Sequence, residues 1–155
     1  MTHIALAVSD QARSRRFYET YFGFDPATAH VAEDGTLLIS GPGDVLLALA
    51  ETDEQLHLPS FLHFGFGGAD DAGQVRTFRE RLAGDGIEIA EFSDEPDYVS
   101  VKCRDPDGYV IEFAWEPTSP GTPAPSVNTS RTRWPGALGA IIDTSTLAGG
   151  TIHLK

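Results

Sequence analysis

Sulfur is scarce in this chain: Cys103 is the only cysteine and Met1 the only methionine among 155 residues. A lone cysteine excludes a disulfide framework and a cysteine-built zinc cluster. No stretch reaches the roughly 18 consecutive apolar residues that a membrane span requires. The opening MTHIALAVSD has neither the basic segment nor the cleavage site of a secretory signal, so a cytoplasmic soluble protein is expected. Basic residues are also few, 11 Lys/Arg against 23 Asp/Glu, for a formal net charge of −12. The imbalance is regional: residues 1–117 hold eight basic and 22 acidic residues, residues 118–155 three and one. A body this acidic repels phosphates, so neither nucleic acid nor an anionic membrane surface is an expected partner, whereas cations and metal ions are attracted. What the chain does have is 41% hydrophobic and 10% aromatic residues, enough to pack one domain or two small halves sharing a core.

Character changes near Pro117. Beyond it, TSPGTPAPSVNTS can neither pair as a central strand nor hold a helix. Residues 118–155 therefore read as an irregular Pro/Ser/Thr/Gly-rich C-terminal extension. Within 1–117 the sequence repeats itself. HIALAVSD at 3–10 and HFGFGGAD at 63–70 each alternate as a strand does, then give way to a helix-like segment. Asp10 and Asp70 stand where an N-cap belongs, and Gly23 and Gly86 where the helices should stop. The halves also close alike, GPGDVLLALAE at 41–51 matching DPDGYVIEFAWE at 105–116 as a turn followed by a strand. Two further strand candidates lie between helix and last strand in each half, near 27–31 and 36–40, and near 87–92 and 98–103. The chain is thus expected to be α+β, with two tandem β-α-β-β-β modules (about 1–52 and 60–117) forming a curved mixed sheet, or cup.

Strand alternation decides which side chains share a face. In the first strand Ile4, Leu6 and Val8 belong against the helix, leaving His3, Ala5 and Ala7 on the other face. In the fifth strand Leu62, Phe64 and Phe66 oppose His63, Gly65 and Gly67. In the last, Tyr109, Ile111 and Phe113 oppose Val110, Glu112 and Ala114. His3, His63 and Glu112 thus project from the same kind of face among small neighbours. Two imidazoles and a carboxylate suit a divalent transition metal and leave positions open for water or a substrate oxygen. The repeat sets Ala48 where a fourth ligand would stand; Glu51 is the nearest carboxylate and would need a bulge to turn it. On the seventh strand Tyr98 and Lys102 are expected beside Glu112. Tyr98 would donate a hydrogen bond or a proton. Lys102 would steady an anionic substrate oxygen, or else pair with one of the many nearby acids. Cys103, on the helix side, reads as a small buried hydrophobe.

The opening HIALAVSDQARSRRFYETYFGF, the His63 strand and CRDPDGYVIEFAWE resemble the vicinal oxygen chelate superfamily. That superfamily includes glyoxalases, bleomycin-resistance proteins, fosfomycin-resistance enzymes and extradiol dioxygenases. The likeness covers about residues 1–117. It implies paired modules around a metal-binding cup, with His3, His63 and Glu112 as its ligands and a homodimer in which subunits complete the cup. Departures separate the chain from particular branches. Ala48 stands where glyoxalase I supplies a fourth ligand. Residues 113–121 hold no Lys or Arg, where the fosfomycin enzymes carry an arginine. The expected function is a metal-dependent enzyme (Fe, Mn, Ni or Zn) acting on a small oxygenated molecule by Lewis-acid or dioxygenase chemistry. The alternative is a protein of the bleomycin-resistance kind that sequesters a small molecule or drug without turnover.

Overall fold

The computed structural model of the chain describes residues 2–54 and 56–117. The expected extension, 118–155, lies outside the described residues. Strand β1 (Thr2–Val8) leads into helix α1 (Gln11–Phe22), then β2 (His30–Val31), β3 (Leu37–Ser40) and β4 (Val45–Glu51). The second half repeats the order with β5 (His63–Gly68), α2 (Ala72–Gly84), β6 (Ile89–Glu95), β7 (Tyr98–Arg104) and β8 (Val110–Trp115). Each half forms its own four-stranded sheet, β1-β4-β3-β2 and β5-β8-β7-β6. The first and last strands of each module run parallel and the rest antiparallel. The tandem α+β architecture read from the sequence is the one observed.

Local signals explain most boundaries. Asp10 caps α1 by accepting from Arg13 N, and Gly23 ends the helix in the left-handed region at φ 69°, which glycine enters without a Cβ penalty. In the second module the cap is Asp71, accepting from Gln74 N, one residue later than the Asp70 expected. Asp70 instead accepts from the Gln74 side chain. Leu62, expected among the inward residues of the fifth strand, precedes β5 and is exposed; Tyr109, ahead of β8, is buried.

One apolar core unites the modules. Leu6, Val8, Ile39, Leu47 and Leu49 meet α1 beneath the first sheet, and Val75, Phe78 and Leu82 of α2 lie under the second. Phe66 of β5 reaches into the aromatic cluster of the first module, its ring 4.9 Å from Phe24 and 5.8 Å from both Tyr18 and Phe22. Edge-to-face pairs of this kind add to the burial itself. Polar ties reinforce the junction: Tyr18 donates to buried Asp105 at 2.8 Å, and Tyr109 donates to the Ala7 carbonyl at 3.1 Å. With both helices and most bulky strand residues turned to this core, the opposite face of each sheet is left outward. No helix among the described residues is long and apolar enough to cross a membrane.

Candidate metal centre

On the outward face of the second sheet, register sets Gly65 of β5 beside Glu112 of β8, and Glu112 beside Lys102 of β7. A Cβ on Gly65 would lie 2.8 Å from the Glu112 carbonyl oxygen. The close parallel pairing of these strands therefore requires glycine there. His63 Nε2 stands 3.6 Å from Glu112 Oε2. Its other nitrogen, Nδ1, is 2.9 Å from the Phe61 carbonyl oxygen. A carbonyl only accepts, so Nδ1 carries a proton in that contact, and Nε2 is the nitrogen that faces the carboxylate. An imidazole nitrogen and a carboxylate oxygen facing each other can share a proton as an ion pair or serve as two ligands of one metal ion. Ligands held about 2.1 Å from one ion at a near-tetrahedral angle lie about 3.4 Å apart, close to the observed separation. The His63–Glu112 pair fits a divalent metal on donor chemistry and spacing, and a backbone carbonyl fixing the imidazole is the usual outer support of such a ligand.

Supporting residues surround the pair. Tyr98 donates to Glu112 Oε1 at 2.6 Å. Burial, with Glu112 adding to it, raises the Tyr98 pKa and keeps the phenol a donor. Lys102 donates to Glu91 Oε1 at 2.9 Å, and this bond raises its pKa further. Of the two readings of Lys102, the structure supplies the acid partner, across a register shift between Ile89 and Glu91 that strand alternation does not reveal. Phe61, 86% exposed, sets its ring edge-on to His63 with centroids 5.4 Å apart. It lies in the connection between modules, and no sequence pattern marked it.

The first module holds the remaining candidates. His3 lies exposed on the outward face of β1, opposite Leu46 of β4. Among the described residues no group of three or more His, Cys, Asp or Glu is placed to hold a metal ion, so a single chain brings His63 and Glu112 together without His3. Glu51 makes no bulge: β1 and β4 pair without a shift, and its carboxylate accepts from Gln11 N at 3.1 Å, satisfying a free amide at the start of α1.

Two tandem β-α-β-β-β modules, each a four-stranded mixed sheet with one helix, define a two-module α+β protein. The chain belongs to the Glyoxalase/Bleomycin resistance protein/Dioxygenase superfamily, whose family model matches residues 1–113. Among solved structures, it is similar to a possible glyoxalase from Bacillus cereus, with 24% identity, a TM-score of 0.61 and coverage of 73% of this chain and 96% of that one. A lactoylglutathione lyase from Agrobacterium tumefaciens is 23% identical, with a TM-score of 0.56 and coverage of 74% and 91%. A genomically encoded fosfomycin resistance protein from Listeria monocytogenes is 17% identical, with a TM-score of 0.61 and coverage of 74% and 90%. A mutant of that Listeria protein was crystallised with Mn(II) and a dihydroxypropylphosphonic acid. A comparison with curated protein sequences found no match. At these identities the structural neighbours speak for the fold.

Proposed function

We propose that the protein is a divalent-metal-dependent enzyme of the vicinal oxygen chelate type, acting on a small oxygenated molecule. The observation that carries this reading is the His63 imidazole, held at Nδ1 by a backbone carbonyl and facing Glu112 across 3.6 Å. Those two residues hold the ion from one chain, and His3 of a second copy completes the set. Strands β1 and β5, each an end strand of its sheet among the described residues, give a homodimer a place to form. When bound, the metal supplies Lewis acidity toward a substrate oxygen. The chain's own groups do the rest. Tyr98 fixes the Glu112 carboxylate by a hydrogen bond at one oxygen, leaving the other for the ion. Lys102, kept protonated by Glu91, lies beside Glu112 and offsets negative charge developing on the substrate.

Metal analysis of the purified protein after Mn(II) or Fe(II) loading, with His63→Ala and His3→Ala beside it, tests the reading. One ion per chain in the wild type, and loss in both variants, is the expected result. Mixed refolding then locates the third ligand: His3→Ala combined with His63→Ala restores one intact site per heterodimer only if His3 acts across subunits. Wild-type protein that takes up no metal at micromolar concentrations overturns the proposal.

A further inference from the structure

The turn that leads into β5 carries an aromatic side chain held out toward solvent. Phe61 is 86% exposed and the adjoining Leu62 44%, two of the three large apolar residues exposed among the described residues. Single exposed apolar residues are ordinary on a protein surface; Phe61 differs in being fixed at three points. Leu62 N donates to the Pro59 carbonyl at 3.0 Å, closing a turn with Phe61 inside it. The Phe61 carbonyl accepts from His63 Nδ1 at 2.9 Å. Its ring stands edge-on to the same imidazole, with centroids 5.4 Å apart and planes at 79°.

A ring already ordered in the free protein loses little freedom when something packs on it, so it offers apolar contact at low entropic cost. Its position says what that contact is for. An ion on His63 Nε2 would lie roughly 3 Å from the imidazole centroid. The centre of the Phe61 ring, 5.4 Å from that centroid, is then no more than about 9 Å from the ion. A group borne directly on a metal-chelating ligand thus comes within the range, about 4.5–7 Å between centroids, at which rings pair.

We infer that the small molecule taken by this site carries an apolar group, aromatic by preference, next to its metal-chelating oxygens, and that this group packs on the Phe61 ring. The inference rests on the metal reading of the same site and adds the apolar side of the substrate. Phe61 is then a specificity-determining residue whose two parts act separately: its carbonyl orients the imidazole, and its ring meets the ligand. The contact between ring and imidazole favours the substrate as occupant, because a ligand on the ion is brought beside Phe61 by the ion itself.

Calorimetric titration of the Mn(II)-loaded protein with acetohydroxamate and benzohydroxamate tests it, since the two share one chelating group and differ as methyl against phenyl. Relative to their affinities for Mn(II) in water, the wild type should bind the phenyl probe about tenfold tighter. Phe61→Ala should bring this ratio below about threefold, and the ratio cancels any effect of the substitution on the ion itself. Phe61→Trp, which returns a ring, should keep the preference. A ratio near one in the wild type would mean that the ligand does not reach the ring, a second copy or residues 118–155 covering it instead, and the inference fails while the metal reading stands. It fails likewise if the ratio survives Phe61→Ala, or if both variants lose it, which would give Phe61 a structural role. If the wild type takes up no Mn(II), the metal reading and this inference fall together.

Discussion

Asp107, in the turn ahead of β8, accepts hydrogen bonds from both the backbone N–H and the hydroxyl of Ser9, at 2.9 and 2.6 Å, across 98 positions of sequence. Its other oxygen accepts from Ser14 Oγ at 2.7 Å, and Arg13 approaches within 3.1 Å. One carboxylate, its side chain 4% exposed, thereby ties the second module to the entrance of α1 in the first. Asp107→Ala leaves the buried Ser14 hydroxyl and the two Ser9 donors without this acceptor. It should destabilise the protein by about 3 kcal/mol, read as a lower urea midpoint at neutral pH. An unchanged midpoint would show that the modules do not depend on this tie.

The same carboxylate predicts a pH dependence with a definite sign. Burial pushes the Asp107 pKa up, but the bonds from Ser9 and Ser14 and the Arg13 charge together hold it below the ordinary value. A folded-state pKa below the unfolded one stabilises the fold at pH values above the unfolded pKa, about 3.9. That stabilisation is lost as pH falls through the folded pKa. Unfolding curves from pH 6 downward should lose stability below about pH 4 in the wild type, and lose less in Asp107→Asn. Asp105, raised by burial, acts in the opposite sense, so its ionised form costs the fold and stability rises as pH falls through its pKa. A wild-type and Asp107→Asn pair with superimposable acid limbs would assign the acid loss to other groups.

The readability of these features from sequence follows the range of the physics involved. Strand alternation is local, and it put His63 and Glu112 on one face without any knowledge of the fold. Capping is nearly as local, but Asp70 and Asp71 are chemically equivalent caps, and only the backbone chose Asp71. Longer-range features escaped. DPDG reads as turn chemistry, and nothing in it announces that Asp107 serves the other module. Glu91 meets Lys102 through a register shift, which a period of two does not encode. His3 shows the limit most plainly: alternation gives its face, whereas its partners depend on how sheets, or chains, come together.

Gly65 offers a direct test of how tightly the site is built. A Cβ there meets backbone, the Glu112 carbonyl oxygen at 2.8 Å, which no rotamer change relieves. Gly65→Ala should push β5 from β8, cost about 2 kcal/mol of stability, and weaken Mn(II) binding by separating His63 from Glu112. Gly84 has open space around its Cβ position, so Gly84→Ala near the end of α2 should leave metal binding unchanged. Equal metal affinity in the two variants would contradict the close strand approach as the device that sets the pair.

Cys103 is fully buried on the helix side of β7, where burial, with Asp105 adding to it, pushes its thiol up to about 12. The thiolate is the reactive form, so native protein at pH 8 should not react with a disulfide reagent on the timescale of minutes. One thiol per chain should react at once in denaturant. Fast labelling of folded protein would place Cys103 in an accessible, activated setting that its packing does not provide.

Tyr98→Phe isolates support of the His63–Glu112 pair from the pair itself. The phenol donates to Glu112 Oε1 at 2.6 Å, while Oε2 is the oxygen 3.6 Å from His63 Nε2. The hydroxyl thus restrains rotation of the carboxylate that would let Oε2 swing from the imidazole. The ring is only half-buried, so Phe keeps most of its packing, and stability should change by less than about 1 kcal/mol. Metal affinity should fall by about tenfold, the usual effect of losing a hydrogen bond that orients a ligand. Mn(II) titration followed by electron paramagnetic resonance reads the affinity without reference to turnover, and thermal melting reads the stability. Weaker Mn(II) binding with an unchanged melt identifies Tyr98 as a positioning residue. Unchanged affinity would mean that the strands alone hold Glu112 toward His63, leaving Tyr98 for the substrate.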